Sequence, residues 1–340
     1  MEGTLEPELL FELAQRNNIE LPHETVEDVL AAYDFHDLPS FLAIYYRAMD
    51  VLRTEADFYN LAYQYFERAA KQNVIYCEPF FDPQAHTTRG VEFDTVINGI
   101  SQAQEAARKH LGLDSNLIMC FLRDHSAESA AEHLKIAEPH FDKIIGIGLD
   151  SDERDNPPTK FSDTFYAARD AGLKLTMHCD VNQKDIHEHI RECLDVIQVD
   201  RIDHGINILE REDLIEDVKA RNLGLTICPL SNEFVVQNLT GDEIRRFLDL
   251  GIKATVNSDD PACFRGYMNE NLIALAERAE FSREELVQVT RNAFEISWAD
   301  EQSKIGYLKQ LDDYVAEAGP FASPSLRGAR RISSSATVSI

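Results

Sequence analysis

No apolar stretch in this chain approaches the roughly 18 residues needed to cross a bilayer, and no secretory leader precedes the first helical pattern. A soluble cytoplasmic protein is expected, with the nucleus left open. Basic residues are scarce: 33 Lys and Arg stand against 60 Asp and Glu, a formal charge of -27. Such a surface repels polyanions, which argues against nucleic acid and anionic membrane as partners and favours a small neutral or cationic ligand. Paired cysteine spacing is also missing. Cys77, Cys120, Cys179, Cys193, Cys228 and Cys263 lie far apart with no CxxC, so neither a disulfide framework nor a zinc ribbon is indicated, and buried thiols in a reducing compartment are expected. Apolar residues, by contrast, make up 44% of the 340, enough for the core of one α/β barrel of about 250 residues with extensions.

The chain alternates. Short apolar, strand-like runs fall at residues 73–77, 117–122, 143–149, 173–177, 201–203, 223–228 and 252–257, and most are followed by a segment of helical period, as at 93–110, 127–137, 163–171, 186–197 and 242–250. This order predicts βα units and a parallel sheet. Ahead of it, residues 2–16 read as an amphipathic helix opened by Thr4, and residues 37–71 as a helical region. Behind it, residues 270–278, 283–297 and 301–317 read as closing helices. Seven strands are one short of a closed barrel. The expected fold is therefore a (β/α)8 TIM-type barrel over residues 1–318 with strand one absent, plus C-terminal helices. Residues 319–340, rich in Ser, Gly, Arg and Ala, are expected to form a disordered tail. Arg330-Arg331-Ile332-Ser333 would suit a basophilic kinase, but an inert tail is favoured.

In a parallel barrel the functional groups come from the C-terminal ends of the strands, and here those ends are polar. The runs are followed by Glu78, by Asp150-Ser151-Asp152-Glu153, by His178-Cys179-Asp180, by Asp203-His204-Gly205, by Ser231-Asn232 and by Asp259-Asp260. Adjacent acids repel unless a cation, a donor or a proton offsets them, so Asp259-Asp260 at a strand end suggests a site. The competing reading is a helix N-cap, since Ser258-Asp259-Asp260-Pro261 is also how a helix starts. Two strand-end histidines beside that acid pair make a nitrogen and oxygen donor set suited to zinc or a similar metal, which points to hydrolysis.

Thr176-Met177-His178, Arg201-Ile202-Asp203-His204-Gly205, Cys228-Pro229-Leu230-Ser231-Asn232 and Val256-Asn257-Ser258-Asp259-Asp260-Pro261, in that order, resemble the motifs of the adenosine/adenine deaminase family of metal-dependent barrel hydrolases. The likeness covers residues 2–308. Phe80-Phe81-Asp82-Pro83-Gln84 with His86 and Arg89, and Gly148-Leu149-Asp150-Ser151 with Asn156-Pro157-Pro158, resemble the adenine deaminase branch. The resemblance implies one Zn2+ per chain, with His178 and Asp259 as ligands and His204 orienting or deprotonating the attacking water. It also implies Asp260 hydrogen-bonded to a ring nitrogen, Ser151 lining the same pocket, and a small aminopurine as substrate in purine salvage. A homo-oligomer is left open.

Two departures from the family pattern bear on activity. The family's His-x-His pair falls just ahead of the position of Glu2-Gly3, and the chain as given starts at Met1. Strand one and two ligands are thus expected to be missing and the zinc set incomplete. The family's proton-donating Glu corresponds to Val181, leaving Asp180 as the nearest acid for that role, with Asp185 and Glu188 behind it. The alternative reading is accordingly a catalytically impaired barrel that binds a purine or a partner. A weaker one is a related hydrolase whose leaving group is not ammonia.

Overall fold

The computed structural model describes residues 1–33, 38–179 and 184–319. The expected tail from residue 320 onward, Asp180 and Val181 lie outside those residues. Nine strands are described: β1 (Tyr76–Cys77), β2 (Phe80–Phe81), β3 (Asp114–Ser115), β4 (Leu117–Leu122), β5 (Ile144–Asp150), β6 (Lys174–Cys179), β7 (Arg201–His204), β8 (Gly224–Ile227) and β9 (Lys253–Val256). The main sheet runs β2-β4-β5-β6-β7-β8-β9 and every ladder in it is parallel. Strand order thus follows chain order, as βα units with right-handed crossovers demand. The small β1–β3 pair stands apart.

The expected run at residues 73–77 ends as β1, and the main sheet is entered three residues later at β2. Pro79 lies between them and has no N–H to give to a ladder, so pairing breaks there and resumes with a new partner. The single helical region expected over 37–71 also divides, into Leu38–Ala48 and Glu55–Lys71. Thr54 and Asp57 form a capping box, each side chain bonding the other's backbone N–H, and this restarts the helix. The opening helix begins at Pro7 rather than near Thr4, because proline is best accommodated at the first helical position. Glu2–Thr4 is instead a buried 3-10 turn.

Strands β4 and β5 are almost unbroken apolar runs, and β6 to β9 are largely buried with polar residues interspersed, since helices cover one face and the barrel interior the other. β2 and β9 are the two edges, and among the described residues no ladder joins them. Between them opens a cavity of about 870 Å³ lined by residues of both edges, among them Phe80, Thr255 and Asn257, and by Leu286, Thr290 and Phe294 of helix Arg283–Ile296. It reaches the strand ends that carry the polar motifs. The seven-stranded sheet with an open strand-one position agrees with the expectation from sequence.

Candidate active site

β6 and β7 are hydrogen-bonded neighbours in a register that sets Cys179 against His204, so His178 and His204 emerge from adjoining strand ends. Their ring centroids lie 4.4 Å apart. Asp259, two residues beyond Asn257 where β9 has ended, brings Oδ2 to 3.9 Å from His204 Nε2. Donor atoms of His204, Asp259 and Cys228 all fall within 4.8 Å of one another. Three of these rim residues hold uncommon backbone: Ser151, His204 and Asp259 have φ of 71°, 59° and 55°. Non-glycine residues in this left-handed region are found preferentially at functional sites, where the surrounding structure sustains the strain.

His178 does not stand alone. Its Nδ1 lies 2.7 Å from Glu153 Oε1; because a carboxylate can only accept, Nδ1 carries the hydrogen and Nε2 keeps the lone pair that a metal needs. Glu153 is fully buried. Burial works to raise its carboxyl pKa, but the charge of Arg123, the hydrogen bond from His178 and the nearby His189 imidazole outweigh that and hold it far below the usual range. Arg123, itself fully buried, also donates to the His178 carbonyl at 2.9 Å.

The other side of the cavity is acidic. Ser151 accepts a hydrogen bond from Tyr46 at 2.9 Å. Asp260 packs against Gly3 so closely that a β-carbon there would lie 1.7 Å from its Oδ1, which only glycine permits. Burial first, and the neighbouring charge of Asp259 second, push the Asp260 carboxyl well above the usual range. Glu2 accepts from His86 Nε2 at 2.7 Å, while Arg89 donates to His86 Nδ1 at 2.6 Å, which sets the imidazole tautomer. Carboxylate oxygens of Asp82 and Asp150 lie within 4.8 Å of each other and of Cys120 Sγ. Burial lifts both acids, Asp150 to about 6 and Asp82 further.

Five of the residues expected from sequence, His178, His204, Asp259, Asp260 and Ser151, line one cavity. Asp180, expected as proton donor, lies outside the described residues. The N-cap reading of Asp259-Asp260-Pro261 gives way: no helix starts there, and the next begins at Met268. Sequence reasoning did not single out Glu153, Arg123, Cys228 or Asp82 for roles in the site. The same strand-end rule would have picked Arg123, which directly follows β4. Nothing in the spacing would have paired Glu153 with His178.

The family profile of adenosine deaminases matches residues 1–314. An uncharacterized deaminase of Schizosaccharomyces pombe is 48% identical over 319 residues, 93% of this chain and 94% of its own length. The adenine deaminase of Acinetobacter baylyi is 45% identical over 314 residues, 92% of this chain and 94% of its own length. Among solved structures, an adenine deaminase from Arthrobacter aurescens superposes with a TM-score of 0.89 at 42% identity, covering 93% of this chain and 96% of that one. An amidohydrolase from Burkholderia ambifaria with bound Zn shares the fold, with a TM-score of 0.84 at 23% identity, covering 93% and 89%. With strand-end motifs, parallel sheet and rim geometry in agreement with a match across most of its length, the chain belongs to the adenosine deaminase family.

Proposed function

We propose that this protein is a metal-dependent hydrolytic deaminase of aminopurines, with adenine as first substrate and adenosine or another 6-substituted purine next, acting in purine salvage. The observation that carries the reading is the convergence of His178, His204, Asp259 and Asp260 on one cavity. Likeness to adenine deaminases at 42–48% identity supports the choice of adenine. The donor set fits a first-row metal: imidazole nitrogen, carboxylate oxygen and a nearby thiol, with His178 held by the carboxylate–histidine arrangement usual behind metal ligands. When bound, zinc lowers the pKa of a coordinated water and so supplies the nucleophile at neutral pH.

In this assignment His178 and Asp259 hold the metal. His204, buried beside Asp259, orients the attacking water and takes its proton. Asp260, its carboxyl pushed up by burial, hydrogen-bonds a ring nitrogen, and Ser151 with Tyr46 borders the ring. Asp180, the first acid in sequence after β6, is assigned the return of a proton to the ring as ammonia leaves. The test is bound zinc and ammonia release with adenine: zinc-dependent release supports the proposal, and zinc loading with no release from any aminopurine overturns it. That second outcome would favour a purine-binding barrel without turnover, a reading to which the open edge between β2 and β9 lends support.

A further inference from the structure

Below the rim, the cavity is walled by charged side chains that the assigned roles leave unused. Asp203 stands in β7 one residue before His204 and is buried. Its Oδ2 accepts from Thr176 Oγ1 of β6 at 2.7 Å and its Oδ1 from Thr226 Oγ1 of β8 at 2.7 Å, so one carboxylate joins three adjoining strands at one level. Arg201, also buried, brings Nε to 3.8 Å from Asp203 Oδ1 and donates from Nη1 to Glu78 Oε2 at 2.6 Å, with its guanidinium 4.2 Å from the centre of the Trp298 ring. Stability alone does not account for such a buried network, since apolar side chains of similar volume often serve as well. The neighbouring backbone supplies a reason for it. Successive side chains of a strand face opposite sides, yet Asp203 and His204 both line the cavity. His204 does so through its φ of 59°, a left-handed conformation that a non-glycine residue keeps only where its surroundings fix it.

We infer that Asp203 is the positioning residue that holds His204 in its left-handed conformation and keeps the His178 and His204 rings in contact. The catalytic consequence rests on the deaminase reading of the site; the ring contact rests on geometry alone. Thr176 stands two residues before His178 on the same face of β6, so the clamp takes hold directly beneath that histidine. On the other side of His204 the backbone is tied as well, Gly205 N donating to the Cys179 carbonyl at 3.0 Å. With both ties in place, His204 cannot relax by rotation of β7. Its ring stays 4.4 Å from that of His178, and its Nε2 stays 3.9 Å from Asp259 Oδ2. Without the clamp, His204 is released to the extended backbone usual in a strand, which turns its ring away from the cavity.

NMR on protein labelled at the histidine rings tests the contact without metal. The unaltered protein is expected to show a nuclear Overhauser effect between the His178 and His204 rings, and Asp203→Ala to lose it; its absence from the unaltered protein would overturn the inference. In Asp203→Ala, zinc affinity read by chelator competition is expected to fall at least about tenfold, and kcat for adenine at least about tenfold with KM changed less than about threefold. Asp203→Asn keeps the shape and one acceptor, and should recover the ring contact and most of kcat. Thr54→Ala, which loses a helix cap away from the site, is the control for a merely structural role. It should leave all these readings unchanged, and equal losses in both variants would overturn the inference. So would a folded Asp203→Ala protein with ring contact and zinc affinity intact. If Asp203→Ala does not fold, Thr226→Val, which removes one of the two donors, takes its place with an expected loss in zinc affinity of about threefold or more; no change in ring contact or affinity there also overturns the inference. If the unaltered protein binds no zinc, the ring contact alone decides. Ammonia release separates this from the broader proposal. Full release from Asp203→Ala sinks the positioning inference alone, whereas the predicted ring contact and zinc binding with no release from any aminopurine sinks the deaminase reading alone.

Discussion

Glu153 illustrates how much one side chain can govern without touching a substrate. It has no contact with water, and it joins Arg123 at 3.5 Å, His178 at 2.7 Å and His189 at 3.6 Å. Removing one partner of a buried ion pair leaves the other uncompensated, so Glu153→Gln is expected to cost about 3 kcal/mol in urea unfolding. The sign of its pH dependence follows from the depressed pKa. Stabilisation by Glu153 is complete above its unfolded value of about 4.5 and is lost as pH falls towards the lower folded value, so the variant should show a flatter acid limb than the unaltered protein. Zinc retention should also weaken, by about 10–100-fold, because His178 loses the group that fixes its ring. At the rim the two neighbouring aspartates should separate. Asp259→Ala is expected to abolish turnover and release metal, whereas Asp260→Ala should damage substrate use with metal still bound, as read by metal content beside kcat and KM. Near-normal activity in both variants would refute their roles.

At the scale of elements, side-chain direction in the sheet places the chemistry. A strand's side chains alternate between faces, so a one-residue slip of β7 against β6 would turn His204 away from the cavity; the four-rung ladder Thr176–Arg201 to Cys179–His204 prevents it. The turn Glu2–Thr4 is held as tightly, with the Gly3 carbonyl accepting from Ala262 N at 3.0 Å and Asp260 against its α-carbon. Gly3→Ala should therefore push this turn off Asp260. The expected result is purine binding weakened at least about tenfold with the circular dichroism spectrum unchanged; unchanged binding would show that Asp260 can shift freely. Helix Glu55–Lys71 offers a control away from the site: Thr54→Ala removes its cap and should cost about 1 kcal/mol with activity unaffected.

At the scale of the whole molecule, β2 and β9 leave one side of the sheet unpaired beside a cavity of about 870 Å³. Unpaired strand edges recruit other strands, and the Met1 amine already donates to the Phe80 carbonyl on the β2 edge. The open edge and its cavity are therefore expected to bind an apolar dye, as read by a rise in dye fluorescence on mixing with the folded protein; no rise would show that the edge is covered.

The sequence by itself determined the βα alternation and the polar strand ends, because hydrophobic period and strand-end position are local properties of the chain. β4, Ala127–Ala137 and Glu301–Glu317 fall where their patterns predict them, and His178, His204, Asp259, Asp260 and Ser151 meet because parallel strands deliver their ends to one rim. Breaks at Pro79 and Thr54 were legible in kind, as a missing donor and a cap, but their outcome depended on which partner strand or helix lay nearby. Only the tertiary structure decided which side chains the buried acids meet. Glu153 bonds a histidine 25 residues on, and Asp82 faces Asp150 from a strand two places away in the sheet. Those pairings depend on side-chain direction and burial across the barrel, quantities that no local period encodes.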